Sequence, residues 1–128
     1  MNKSIYLAGG MRNGWQDIFI TKSDTNNFII YDPRKHEQST EKNYTSWDIN
    51  AIKKSDIILG HIEKDNPSGY GLCLEIGYAK AFHKTIIWVQ DKEDERSKYF
   101  GMSRELADYV FYDLNEAILF INKNSNIL

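Results

Sequence analysis

Five short apolar runs rich in β-branched residues punctuate the chain, at 4–8 (SIYLA), 27–31 (NFIIY), 56–62 (DIILGHI), 85–89 (TIIWV) and 109–112 (YVFY). Each has the length of a strand, and none shows the strict alternation of a strand with one wet face. Between them apolar residues recur every three or four positions: Trp15, Ile18 and Phe19; then Tyr44, Trp47, Ala51 and Ile52; then residues 71–83; then Ala117, Ile118 and Ile121. That period predicts helices. Strands that are apolar throughout must be covered on both faces, and the intervening helices can supply the cover. The pattern therefore predicts an α/β fold, a single-domain, flavodoxin- or Rossmann-like three-layer sandwich. Its five-stranded parallel sheet is expected in the order 2-1-3-4-5, with right-handed crossovers. The 128 residues contain no Pro/Gly/Ser-rich linker, so 1–128 reads as one domain around one ordinary core. Segment 91–104, charged and then aromatic, reads as a loop with room for one helical turn, and its KEDER run as a solvated face.

Several function classes lack their signatures. The 16 basic and 18 acidic residues are interspersed and give a net charge of −2, so there is no footprint for nucleic acid or a membrane surface. Cys73 stands alone in an apolar helical run and reads as a small core residue; one chain can form neither a disulfide nor a cysteine metal site. The apolar run in MNKSIYLAGG is too short for a signal peptide, and no window approaches the ~20 apolar residues of a membrane span. A cytoplasmic location is the expectation. Gly9, Gly10 and Gly14 do not match G-x-G-x-x-G, and no P-loop is present. No two histidines have helical ligand spacing, so no metal is expected.

In open parallel sheets ligands bind beyond the carboxyl ends of the strands. Here those ends are 9–14, 32–36, 62–71 and Gln90 onward, and the two glycine-bearing loops follow the first and third strands, beside the expected switch point. The stretch GYGLCLEIGYAKA, 69–81, places Glu75 in an apolar helical stripe with Leu72, Ala79 and Phe82. In NYTSWDINAIKKSD, 43–56, Asp48 falls near the centre of the face carrying Tyr44, Trp47, Ala51 and Ile52. A local cap is the ordinary alternative for such an aspartate. Two carboxylates in apolar stripes beside the ligand-binding edge point instead to a two-carboxylate site, because burying a carboxylate is costly. Such pairs suit cleavage at an anomeric carbon, where one group attacks or stabilises charge and the other manages the leaving group's proton. The glycine-rich helix start NPSGYG should help to keep Glu75 ionised while burial opposes it. Amides at Ser68–Gly71 offer a hold for a sugar hydroxyl or a 5′-phosphate. A sensor that merely binds a nucleotide is the non-enzymatic alternative, but it has no need of a second buried carboxylate. Trp15 and Trp47 read as core in preference to base-stacking platforms, and Asp32, Arg34 and His36 as parts of a turn around Pro33 in preference to an edge of the base pocket.

Taken together, IYLAGG, WDINAIKKSDIILG and NPSGYGLCLEIGYAKA resemble the nucleoside 2-deoxyribosyltransferase family over about residues 4–90, with a weaker match in ADYVFYDLNEAI. The resemblance implies that Glu75 attacks C1′ of a 2′-deoxynucleoside and forms a deoxyribosyl-enzyme ester. It further implies that Asp48 hydrogen-bonds base or sugar and shuttles the proton, and that Tyr6 orients the nucleophile. A second base, or water, would then take the sugar. No cofactor is implied. SIYLAGGMRNGWQD is also similar to the first loop of the family's hydrolytic relatives, which cleave 2′-deoxynucleoside 5′-monophosphates. There an arginine at the place of Arg12, and a serine comparable to Ser68, hold the phosphate. Gly9, Gly69 and Gly71 would line the same substrate site. Nucleoside-using transferases often carry an aspartate where this chain has Ser68 and Gly69. The more extensive likeness of the two carboxylate helices favours transfer, with a nucleoside or nucleotide and a free nucleobase as small-molecule partners. The family builds its pocket against a neighbouring chain, which implies a homodimer or higher homo-oligomer. Where an asparagine or serine of that neighbour would complete the site, KYFGMS has Phe100.

Overall fold

The structure is a computed structural model and describes residues 2–128. Five strands, β1 (Lys3–Gly9), β2 (Phe28–Tyr31), β3 (Ile57–Ile62), β4 (Thr85–Gln90) and β5 (Tyr109–Phe111), alternate with helices α1 (Trp15–Lys22), α2 (Glu41–Lys54), α3 (Tyr70–Ala81), α4 (Gly101–Leu106) and α5 (Leu114–Lys123). All strand pairs are parallel, in the order β2-β1-β3-β4-β5. The expected fold class and strand order are both borne out.

Strand parity divides the interior into two cores. Ile5 and Leu7 of β1 pack with Trp15 and Phe19 of α1 and Leu114, Ile118 and Ile121 of α5. Tyr6 and Ala8 point the other way, towards Ala51 and Ile52 of α2 and Leu72, Ile76 and Ala79 of α3. One β-strand thus feeds both layers, which is why its residues are apolar without alternation. At Gly60 an added Cβ would lie 3.0 Å from Ile76 Cδ1 and 3.3 Å from Leu72 Cδ1, so the missing side chain lets α3 sit close on the sheet. Because the chain order reverses between β1 and β3, Gly9 stands opposite His61 at adjacent carboxyl ends. The loops leaving those ends run to helices on opposite faces, which opens a crevice between them.

Two expectations need correction. The first six residues of α2 are exposed, Tyr44 among them, and only Ala51 and Ile52 are fully buried. The helix meets the core with its C-terminal half, so the Asp48 side chain is 23% exposed instead of central to a buried face. Segment 91–104 is also more ordered than a loop. Asp94 caps a 3-10 helix, Glu95–Phe100, that runs directly into α4. Its arginines turn inward: Arg104 donates to Gln90 Oε1 at 2.9 Å and to the Ser97 carbonyl at 2.7 Å.

Gly9 adopts φ 147°, and a Cβ there would lie 2.4 Å from the His61 carbonyl oxygen. Gly9→Ala should therefore destabilise the protein by on the order of 2–4 kcal/mol, read as a lowered urea midpoint at unchanged slope.

Candidate active site

The crevice forms a cleft of about 410 Å³, within the usual range of roughly 300–1,000 Å³ for small-molecule sites. Gly9 and Arg12 line one wall, Ser68, Gly69 and Gly71 the other, and Glu75 also borders it. Six residues nominated from the sequence thus share one cavity. Tyr6 and Asp48 do not line it but lie against its carboxylate. The Tyr6 hydroxyl donates to Glu75 Oε2 at 2.5 Å and also interacts with Asp48.

Each position has a local cause. Parity puts Tyr6 on the α2/α3 side of β1, where it is 1% exposed. Glu75 lies one and a half turns into α3, between the buried Leu72 and Ala79. Its stripe is less closed than expected, since Phe82 is exposed. The N-cap of α3 is Gly69, at φ 101°, with no side-chain cap, so amides of the first turn remain at the cleft without a side-chain partner. The Ser68 amide itself is engaged, donating to Asn66 Oδ1 at 3.0 Å.

The electrostatics are those of crowded carboxylates. Burial pushes Glu75 up to about 8; the Tyr6 hydrogen bond pulls it down, and Asp48 adds a further push upward. Helix polarity at the N-terminus of α3 does not offset the burial. Tyr6 is raised far above its ordinary range by burial and then by Glu75 and Asp48, so it remains a donor throughout the working pH range. Asp48 is also raised by burial, against pulls from His36 and Tyr6.

On sequence alone a turn role outweighs a pocket-edge role for His36. Its Nδ1 accepts from the Gln38 amide at 3.2 Å, which assigns the ring proton to Nε2, and Nε2 lies 3.4 Å from Asp48 Oδ1. The ring packs on Trp47 with centroids 4.8 Å apart. Asp32 and Arg34 keep the turn role: Asp32 accepts from the Arg34 amide, and Arg34 bridges Asp32 and Asp17. Trp15 is core, as expected. His61 packs edge-on against Trp15, and burial lowers it to about 4, leaving it neutral. Phe100 is buried against Trp88 inside its own chain. No cluster of metal-ligating side chains occurs among the described residues. Sequence reasoning also missed Glu63, Asp65 and Asn66 on the cleft wall. They lie in a loop whose place at the sheet edge was legible, but nothing in their spacing showed which would face the cavity.

The family model for nucleoside 2-deoxyribosyltransferase-like proteins matches residues 2–93. The chain belongs to that family. A search of curated proteins by sequence gives no match. Among solved structures, this deoxyribosyltransferase-like chain is similar to a 2-deoxyribosyltransferase from Leishmania mexicana, with TM-score 0.72 and 18% identity over 94% of this chain and 97% of that one. A 2-deoxyribosyltransferase from Bacillus psychrosaccharolyticus gives TM-score 0.66 and 21% identity, covering 89% of each chain. A CMP N-glycosidase from Clostridium botulinum gives TM-score 0.66 and 17% identity, over 94% of this chain and 98% of that one. At these identities the structures establish a shared fold. The family match spans Tyr6, Arg12, Asp48, Ser68 and Glu75, whereas the 3-10 helix beginning at Glu95 lies beyond it.

The raised Glu75 gives this family member a pH signature. The folded chain holds the Glu75 proton up to about 8, while an ordinary glutamate carboxyl titrates at about 4.5, so the stability it contributes is full below 4.5 and is lost as pH rises through 8. Glu75→Gln cannot titrate. Its stability relative to the parent should grow between pH 5 and pH 9 in urea unfolding, and a difference independent of pH would contradict the assignment.

Proposed function

We propose that this protein cleaves the N-glycosidic bond of 2′-deoxynucleosides through a covalent deoxyribosyl-Glu75 intermediate and transfers the sugar to a second base. The observation that carries the reading is the 2.5 Å Tyr6–Glu75 contact beside an open cleft. The phenol occupies Oε2 and fixes the carboxylate, which leaves Oε1 for attack on C1′. As the Glu75–C1′ bond forms, the C1′–N bond breaks and its electron pair stays on the base, which takes a proton from Asp48. In the second half the acceptor base attacks C1′, the ester electrons return to Glu75, and Asp48 recovers a proton. His36 holds Asp48 in place. Ser68, Gly69, Gly71 and the first-turn amides of α3 would grip the sugar, with Gly9 allowing its close approach to the β1 loop.

Charge favours a neutral substrate. Glu63 and Asp65 border the cleft against Arg12, the single arginine of its lining, and their charge would oppose a phosphate dianion. Arg12 and Ser68 nevertheless share the cavity, and this supports a second reading, hydrolysis of 2′-deoxynucleoside 5′-monophosphates. Likeness to a CMP N-glycosidase leans the same way. Purified protein given deoxyinosine or a deoxynucleoside monophosphate, with and without adenine, should yield exchanged deoxyadenosine from the nucleoside. Arg12→Ala should then change nucleoside kinetics little. If the monophosphate is the substrate, the lost charge-assisted contact, about 1.5–3 kcal/mol, should weaken its use roughly tenfold to a hundredfold. That outcome without base exchange would replace transferase by hydrolase.

Glu75→Ala should abolish turnover, by several orders of magnitude, in a folded protein. Undiminished base release would remove the covalent mechanism, whereas a parent chain that releases no base would leave a sensor that binds without reacting.

The proposal includes a homo-oligomer working in the cytoplasm. No described helix is long and apolar enough to cross a membrane. Helix α3 is apolar nearly all round, yet Tyr70 and Leu74 are 81% and 76% exposed, and Tyr99, just before α4, and Met102, within it, are 73% and 81% exposed. Such a face calls for cover, and a second copy of the chain would supply it. Leu74→Lys should shift the protein to monomer in sedimentation velocity, and a parent chain that is already monomeric at micromolar concentration would overturn this part.

A further inference from the structure

Arg96 lies within the run that reads as a solvated face, yet its side chain is heavily hydrogen-bonded behind the loop that forms one wall of the cleft. Nη2 donates to the Glu63 carbonyl at 2.9 Å and the Lys64 carbonyl at 3.3 Å, and Nη1 donates to the Asn66 carbonyl. On its other edge Nε and Nη2 bond Asp94 Oδ1 and Oδ2 at 3.0 and 2.7 Å. Asp94 is only 6% exposed and also accepts from the Arg96 amide at 2.9 Å. One guanidinium therefore joins three carbonyls of the loop between β3 and α3 to a buried carboxylate.

The support behind Arg96 is itself anchored. Trp88 Nε1 donates to Gln90 Oε1 at 2.8 Å, Gln90 Nε2 donates to Ser97 Oγ at 2.8 Å, and Arg104 closes the set on Gln90 and Ser97. Phe100 lies 5.6 Å beneath the Arg96 guanidinium, and a Cβ at Gly69 would come 3.4 Å from its ring. Polar and aromatic contacts thus run without interruption from buried β4 to the loop that carries Ser68 and Gly69.

We propose that Arg96 is a positioning residue for substrate binding: it sets the shape of loop 63–68 from behind, and so the grip offered by Ser68 and the start of α3, without touching substrate itself. Only a planar fork can span three carbonyls and a carboxylate together; a lysine ammonium cannot. The structural part stands on its own, and the kinetic part rests on the proposed glycosyl transfer.

The test pairs hydrogen exchange with steady-state kinetics on Arg96→Ala and Arg96→Lys. Several charge-assisted bonds are lost, so exchange at amides 64–69 should accelerate about tenfold or more, with the β1, β3 and β4 amides still protected. KM for the deoxynucleoside should rise about tenfold or more while kcat stays within about threefold, since Glu75, Tyr6 and Asp48 are held by other contacts. Millimolar guanidinium should lower the raised KM of Arg96→Ala and leave the parent unaffected; Arg96→Lys should not restore it. Should the alanine variant fail to fold, Arg96→Lys carries the exchange measurement. Unchanged exchange at 64–69 in a folded variant overturns the proposal whatever the reaction, as does acceleration spread evenly over the sheet. A fall in kcat at constant KM overturns the positioning role. If the parent releases no base, the glycosyl reading fails while the exchange result still decides the clamp.

Discussion

Burial drives Glu75 towards its neutral form and the Tyr6 hydrogen bond pulls the other way, and this is the contact around which the rest of the site is arranged. It requires a tyrosine on the correct face of β1, which strand parity supplies by sending Ile5 and Leu7 to one core and Tyr6 and Ala8 to the other. A slip of one residue in β1 would turn the phenol to the α1/α5 side and leave Glu75 with no donor. The bond also needs α3 close to the sheet, which Gly60 permits by presenting no side chain to Ile76 and Leu72. Core packing and site geometry are therefore one constraint seen from two sides.

The glycines around the cleft serve the same closeness. Gly69 leaves room for Ile62 Cδ1, which would lie 2.8 Å from an added Cβ, and its φ of 101° lets the chain turn into α3 without a capping side chain. The first amides of the helix are then left for a ligand instead of for the protein. This arrangement gives up the stability a Ser or Asp cap would contribute, about 1 kcal/mol, at the place where substrate would bind. Functional sites commonly break local rules in this way.

Fold class and strand order were legible because continuous apolar runs and three-to-four periodicity are properties of the chain itself. Glu75 was legible for the same reason: its neighbours on one helix already define an apolar stripe. Asp48 was only half legible, because a helical wheel gives direction but not how far the helix overlaps the sheet, and α2 overlaps with its last turns only. Tyr6 came from the family resemblance, since nothing in SIYLA distinguishes it from an ordinary core tyrosine. His36 and Arg96 escaped because their partners are remote in sequence. Asp48 lies on another element, and Arg96 bonds backbone carbonyls, which carry no residue-type signal at all. A charged run with a 3-10 helix inside it looks the same on paper whether its arginines face water or fold beneath a neighbouring loop.

The raised Glu75 looks at first like a poor choice of nucleophile, because much of it is protonated at neutral pH. The same burial, however, makes the ionised form gain more from a positive charge beside it than an exposed carboxylate would, since little water is present to screen the pair. On the proposed chemistry that positive charge exists only at C1′ in the transition state. Tyr6 stays protonated here and donates to Glu75, and that bond strengthens as the carboxylate becomes fully anionic. Asp48, which burial also raises, is the proposed source of the proton that the departing base must receive. On that proposed chemistry each group would be unfavourably placed in the resting protein and favourably placed when charge separates along the C1′–N bond, which is the differential stabilisation that accelerates a reaction instead of merely tightening binding.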